Sequence, residues 1–92
     1  MHTYRFRLEE GVSLRKAEKT LALAVLAAEG VFGESRVRMD ALCGLCEELR
    51  VIAVDGSTPV GEVIASVFTH FLVKAFGRSA FSLWREREEA GS

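Results

Sequence analysis

The spacing of hydrophobic residues in this chain switches between two patterns, and the order of the two limits what it can fold into. Residues 4–8 alternate strictly between apolar side chains and arginines, as a strand covered on one face does. Residues 14–28 instead place apolar side chains at helical spacing after Ser13, a suitable N-cap, and Gly30 is suited to end that helix. The change of period predicts a mixed domain whose helices cover a sheet.

The rest of the chain continues the two patterns. Residues 36–41 and 80–84 alternate like a strand, residues 50–54 are β-branched as in a central strand, and residues 60–76 carry a broad apolar helical stripe. We therefore predict an α+β fold with the order β-α-β-β-α-β, a ferredoxin-like sandwich. Its four-stranded antiparallel sheet would carry both helices on one face, with the strands in the spatial order fourth, first, third, second.

Size and composition favour one folded domain. The chain has 92 residues, of which 49% are hydrophobic, and a formal net charge of −1, so we expect a single α+β domain over residues 1–92, with residues 86–92 as a frayed tail. No secretory signal pattern is present, and the longest apolar run, residues 21–28, is too short to cross a bilayer. We expect a cytoplasmic protein with no membrane association and no bulk attraction to nucleic acid.

Both cysteines lie in one C-x-x-C sequence, Cys43 and Cys46, a spacing that metal and redox sites use. Zinc normally takes four protein ligands, and the only histidines, His2 and His70, are far away in sequence. The pair also falls between two predicted strands and not at a helix N-terminus that would activate a thiol. We interpret it as a hairpin turn in which Gly44 serves the backbone, and we expect no metal and no cofactor. A metal or redox role, through a dimer that joins two pairs, is the alternative.

The second half of the first predicted helix is apolar nearly all round. Leu23 and Leu26, with Ala22 and Ala27, point away from the stripe that would face the sheet, whereas a helix between a sheet and water has a polar outer face. Contiguous exposed apolar surface marks interaction sites; the alternative is that the second helix covers it. No phosphate-loop or zinc-protease motif occurs. We predict a protein-interaction module without catalytic activity, which forms a homodimer or binds a protein partner.

The open face of the predicted sheet is a second candidate surface. Arg5 and Arg7 project from the first strand, Arg38 from the second and Trp84 from the last. Guanidinium groups and an aromatic ring on a sheet are similar to the surface that RNA-recognition domains offer to single strands. Binding of nucleic acid or a small ligand there is the alternative function. We favour a solvated face on which the arginines pair with carboxylates.

Overall fold

The computed structural model describes residues 2–87 and orders them as three helices and four strands. The elements are β1 (His2–Leu8), α1 (Leu14–Phe32), α2 (Glu34–Asp40), β2 (Cys43–Cys46), β3 (Val51–Asp55), α3 (Pro59–Phe76), a short 3-10 turn (Arg78–Ala80) and β4 (Phe81–Arg87). All strand pairs are antiparallel and lie in the order β2-β3-β1-β4. The predicted α+β class, antiparallel sheet and spatial order of strands are confirmed.

Two neighbouring predictions are wrong. Residues 36–41 do not form a strand, because residues 34–40 are helix α2, and the second strand is instead the C-x-x-C segment that was expected to be a turn. The chain therefore has the order β-α-α-β-β-α-β, which is not the strict ferredoxin-like order. The turn between β2 and β3 lies at residues 47–50.

Two ion pairs between residues four positions apart support helix α2, and the alternating pattern of apolar and charged residues does not reveal them. Arg38 Nη2 lies 2.9 Å from Glu34 Oε1, and Arg36 Nε lies 3.6 Å from Asp40 Oδ2, each four residues apart along the helix. Val37 is the buried residue of α2, while Met39 is 85% exposed. The apparent alternation of apolar and charged residues therefore did not mark a buried strand face.

The helix boundaries follow their capping residues. The Ser13 hydroxyl accepts a hydrogen bond from the Lys16 amide, so the predicted N-cap is confirmed. Helix α1 passes the expected stop at Gly30 and ends at Gly33, whose φ of 87° is the left-handed conformation that glycine tolerates best. At the other end of the chain, residues 86 and 87 extend β4, and the remainder of the predicted tail lies outside the described residues.

The core lies between the sheet and the two long helices. It is built from buried residues of β1 and β3 and from facing residues of α1 and α3: Phe6, Leu8, Ile52, Val54, Ala17, Ala24, Ala28, Val60, Ile64, Phe68 and Leu72. The Phe6 and Phe68 rings meet edge to face, with centroids 4.7 Å apart. α3 contributes large side chains to this core, whereas the fully buried positions of α1 are all alanine. The larger apolar residues of α1 therefore lie at the margin of the core or outside it.

Helix α3 is long and apolar enough to cross a membrane by length and composition, with a mean hydropathy of 1.3 over 18 residues. Its residues Val60, Ile64, Phe68 and Leu72 are fully buried against the sheet and α1. Core helices of folded domains share this composition, and packing within the domain buries 33% of this window.

Candidate interaction surface

The outer side of α1 is an apolar patch. Leu23 is 56% exposed and Leu26 is 61% exposed, and Ala22 and Ala27 are also exposed. The four residues lie within about one and a half turns of α1. Because side chains three and four positions apart are neighbours on a helix surface, they form one patch. The structure thus places these predicted residues together and in contact with solvent. That the patch is an interface stays a prediction.

A groove borders the patch on the side of β2. It has a volume of about 410 Å³ and its apolar walls are Leu21, Ala22 and Val25 of α1, Leu45 of β2 and Ile52 of β3. On the other side, Leu23 borders a shallower space of about 300 Å³ toward Phe71 and Ala75 of α3. Leu26 is one helical turn from both Ala22 and Leu23 and stands between the two grooves. The apolar surface of α1 is therefore continuous with the edge of the sheet at β2.

The edge strand β2 carries no charged side chain. Its residues are all exposed, and Leu42 immediately before it is 67% exposed. β2 is bonded to β3 on one side and ends the sheet on the other. The opposite edge, β4, has Arg85, Glu86 and Arg87 along its second half. Edge strands are commonly protected from pairing with other chains by charged residues or proline, and only β4 has that protection.

The two thiols lie on opposite faces of β2. Cys43 pairs in register with the buried Val54, and Cys46 pairs with Val51; positions three apart in a strand point to opposite sides. Although Cys43 is exposed as a whole residue, partial desolvation of its side chain by neighbouring protein atoms, with a smaller contribution from the charge of Asp55, raises the pKa of its thiol. The raised pKa makes this thiol a weaker nucleophile and metal ligand at neutral pH. One metal ion cannot bridge side chains that point apart. Within residues 2–87, no cluster of three or more metal-ligating side chains occurs.

The open face of the sheet brings together three of the four residues predicted for it. Arg5 lies opposite Trp84 on the neighbouring strand, and Arg7 lies one step farther along β1. The Arg5 guanidinium is paired with the Glu86 carboxylate. Arg38 is on α2 and not on the sheet, so its predicted place in this surface is wrong. The three residues that remain on this face, Arg5, Arg7 and Trp84, therefore provide less unpaired positive charge than the sequence predicted.

A polar cluster at the start of α3 was not visible in the sequence. Glu62 accepts a hydrogen bond from the Tyr4 hydroxyl at 2.8 Å, and its other oxygen lies 2.7 Å from His2 Nε2. The hydrogen bonds from Tyr4 and then His2 lower the pKa of Glu62, and the bond to Glu62 together with burial raises the pKa of Tyr4. Both carboxylate oxygens are engaged, so the cluster ties β1 to α3. About 60 residues separate the partners along the chain, and no local pattern could have joined them.

The chain matches no protein-family model, no curated protein and no solved structure. What the fold and the surface define is a small α+β domain with an apolar outer helix face beside an uncharged sheet edge. The function is therefore argued from these two features.

Proposed function

We propose that this chain is a small protein-interaction module that associates with a second copy of itself through the apolar surface of α1, and that it has no catalytic activity of its own. One observation carries the proposal: α1 buries Ala17, Ala24 and Ala28 in the core and leaves Leu23 and Leu26 in solvent. We propose further that the sandwich is a ferredoxin-like one into which α2 has been inserted, and that two exposed free thiols fit a reducing compartment such as the cytoplasm.

The energetic argument concerns the two leucines. Covering a leucine side chain completely is worth about 1.5–3 kcal/mol relative to leaving it in water. Helix propensity does not explain leucine at these positions, because alanine, lysine and glutamate form helices about as well. A surface helix that served only the fold would carry such polar residues on its outer face. An outward leucine stabilises the protein only when a partner in an assembly covers it.

The open sheet face is the weaker candidate. Arg5 is neutralised by Glu86, and Arg38 lies on α2, where it pairs with Glu34. Phosphate binding gains its free energy largely from cationic groups that release counterions, and this face has few of them. We expect a labelled single-stranded oligonucleotide to show no salt-dependent binding in a fluorescence titration.

Sedimentation equilibrium over a wide range of protein concentrations tests the proposal. We expect the wild-type chain to change from monomer to dimer as concentration rises, and a Leu23→Glu, Leu26→Glu double variant to stay monomeric with unchanged thermal unfolding. Leu83→Glu is the matched control, because Leu83 is also an exposed leucine but lies on the opposite edge strand. A wild-type chain that stays monomeric at the highest concentration reached would refute self-association.

A further inference from the structure

The outward side of α1 can be assigned from its buried residues. Ala17, Ala24 and Ala28 are buried in the core, and at about 100° per residue Leu26 lies on the opposite side of the helix. Glu29, which is half-buried, borders the same side near the C-terminal end of the helix. The other positions on this side are all exposed, and they are Arg15, Lys19, Ala22 and Gly30. This outer face of α1 is therefore basic in its first two turns, apolar in the middle and acidic at its end.

The charges of α1 run against the dipole of the helix. Its first turn contains Arg15 and Lys16 and no acidic residue, and its last turn contains Glu29 and no basic residue. A helix is stabilised by the opposite order, because its N-terminus is partially positive and its C-terminus partially negative. Within residues 2–87, Arg15, Lys19 and Glu29 take part in no ion pair. These charges are thus uncompensated within the described part of the single chain.

We propose that two copies of the chain join by antiparallel packing of α1 against α1, about a two-fold axis at the centre of the apolar patch, level with residues 24 and 25. This inference rests on the self-association proposed above and specifies its geometry. A face that is basic at one end, apolar in the middle and acidic at the other is complementary to itself when it is reversed end for end. The occupant of the outer face is thus a second copy of the same chain.

This axis places apolar residues against apolar residues and opposite charges beside each other. Leu23 of one copy lies level with Leu26 of the other. Lys19 lies level with Gly30 of the other copy, and only one residue, about 1.5 Å along the helix, from Glu29 of that copy. No atom lies within 4 Å of the place a Cβ at Gly30 would take, so this part of the face is open to a second helix at the usual packing distance of about 8–10 Å. Each contact occurs twice in the symmetric dimer.

The same charges disfavour a parallel pair of helices. A two-fold axis along the helices would place Lys19 beside Lys19 and Glu29 beside Glu29, and the two helix dipoles would also repel each other. Antiparallel packing converts both contacts into attractions. Charged groups at the rim of an interface fix orientation more than they add affinity. The leucines therefore supply the burial, and the charges set the direction.

Charge reversal tests the direction of the helices. Lys19→Glu and Glu29→Lys each replace two attractions in the dimer by two repulsions, so we expect each single variant to raise the dimer Kd at least about fivefold in sedimentation equilibrium at low salt. The double variant has the net charge of wild type and restores both pairs, so its Kd should return to within about twofold of the wild-type value. In about 1 M NaCl, where the Debye length is about 3 Å, the effects of the single variants should shrink.

Two exposed charges outside α1 supply matched controls. Arg78→Glu and Glu48→Lys change the net charge by the same amounts as the two single variants, and both positions are exposed. We expect each control to leave the dimer Kd within about twofold of wild type, because neither lies on the outer face of α1. Urea unfolding of dilute protein verifies that every variant folds.

Zero-length carbodiimide cross-linking gives a second readout in the unmodified chain, because it joins an amine directly to a carboxylate in contact with it. Lys19 and Glu29 lie ten residues apart on one helix, about 15 Å, so a direct link between them has to join two copies. We expect mass spectrometry to find this link in concentrated protein and to lose it on dilution.

The outcomes separate the arrangement of the helices from self-association itself. Antiparallel packing of α1 is overturned if wild type sediments as a dimer while the double variant stays as weak as the single variants, or while the Lys19 to Glu29 link is absent; self-association then stands. A monomeric wild type overturns both the arrangement and the proposed function.

Discussion

Truncation of Leu26 to alanine tests whether this side chain contributes to association of two copies or to the stability of the single chain. The side chain is 61% exposed in the single chain, so a partner can still remove that fraction from water. Full burial of a leucine is worth about 2 kcal/mol, which gives about 1.2 kcal/mol for this fraction in each copy. A symmetric dimer contains the residue twice, so Leu26→Ala would weaken association by about 2.4 kcal/mol when the partner covers the side chain completely.

In terms of affinity, about 2.4 kcal/mol raises the dimer Kd roughly 50-fold, and half that coverage raises it about sevenfold. The free energy of unfolding of the monomer should change little. Alanine is at least as good a helix former as leucine, and an exposed substitution usually shifts the free energy of unfolding by less than about 0.5 kcal/mol. The two readouts are sedimentation equilibrium for the dimer Kd and urea unfolding of dilute protein for the monomer.

Leu83→Ala is the matched control for this experiment, since Leu83 is 42% exposed but lies on β4 at the far edge of the sheet. We expect it to leave the dimer Kd within twofold of the wild-type value. The reasoning fails if Leu26→Ala also stays within twofold, or if both truncations weaken association equally. Equal weakening would indicate nonspecific clustering of apolar surface.

Three further changes test the fold around the surface. Gly61→Ala should destabilise the chain by about 1–3 kcal/mol or more in urea unfolding, because its Cβ would overlap the Asp55 carbonyl. Arg50 has a φ of 55° and donates hydrogen bonds to the carbonyls of Leu8, Glu9 and Val12. Arg50→Ala and Arg50→Gly should therefore both destabilise the folded chain, with the glycine variant more stable than the alanine variant by about 1 kcal/mol. Equal stability of the two variants would contradict backbone strain at this positive φ. Glu62 has a lowered pKa, so the unfolded chain binds its proton first and stability falls as pH drops through and below 4.5. The melting temperature of Glu62→Gln should therefore fall less steeply with acid than that of wild type, and parallel curves would exclude this role.

The long elements of the fold were predictable because each has a strong period of its own. The alternation at residues 4–8 and the broad stripe at residues 60–76 both lead to the observed β1 and α3. The segment at residues 36–41 satisfies an alternating pattern as well as helical pairs, and its Glu34 to Arg38 ion pair was equally visible in the sequence. A short segment with two compatible periods is decided by its tertiary neighbours.

The candidate surface was predictable only in part, and for a related reason. Leu23 and Leu26 stand out from a helical projection of one element, so the sequence alone is enough to find them. The edge position of Cys43 and Cys46 depends on which strands pair, and their segment contains none of the β-branched or aromatic residues that favour strands. The one local signal for β2 is the uncharged run at residues 41–46, which begins directly after the end of α2.

The unequal edges of the sheet bear on why the apolar helix face and the uncharged strand occur together. An unprotected edge alone invites pairing in any register and with any extended chain. The apolar wall of α1 borders this edge across the groove of about 410 Å³, whereas Leu23 faces α3 on the other side of the helix. Only one side of the α1 surface therefore lies beside the unprotected edge.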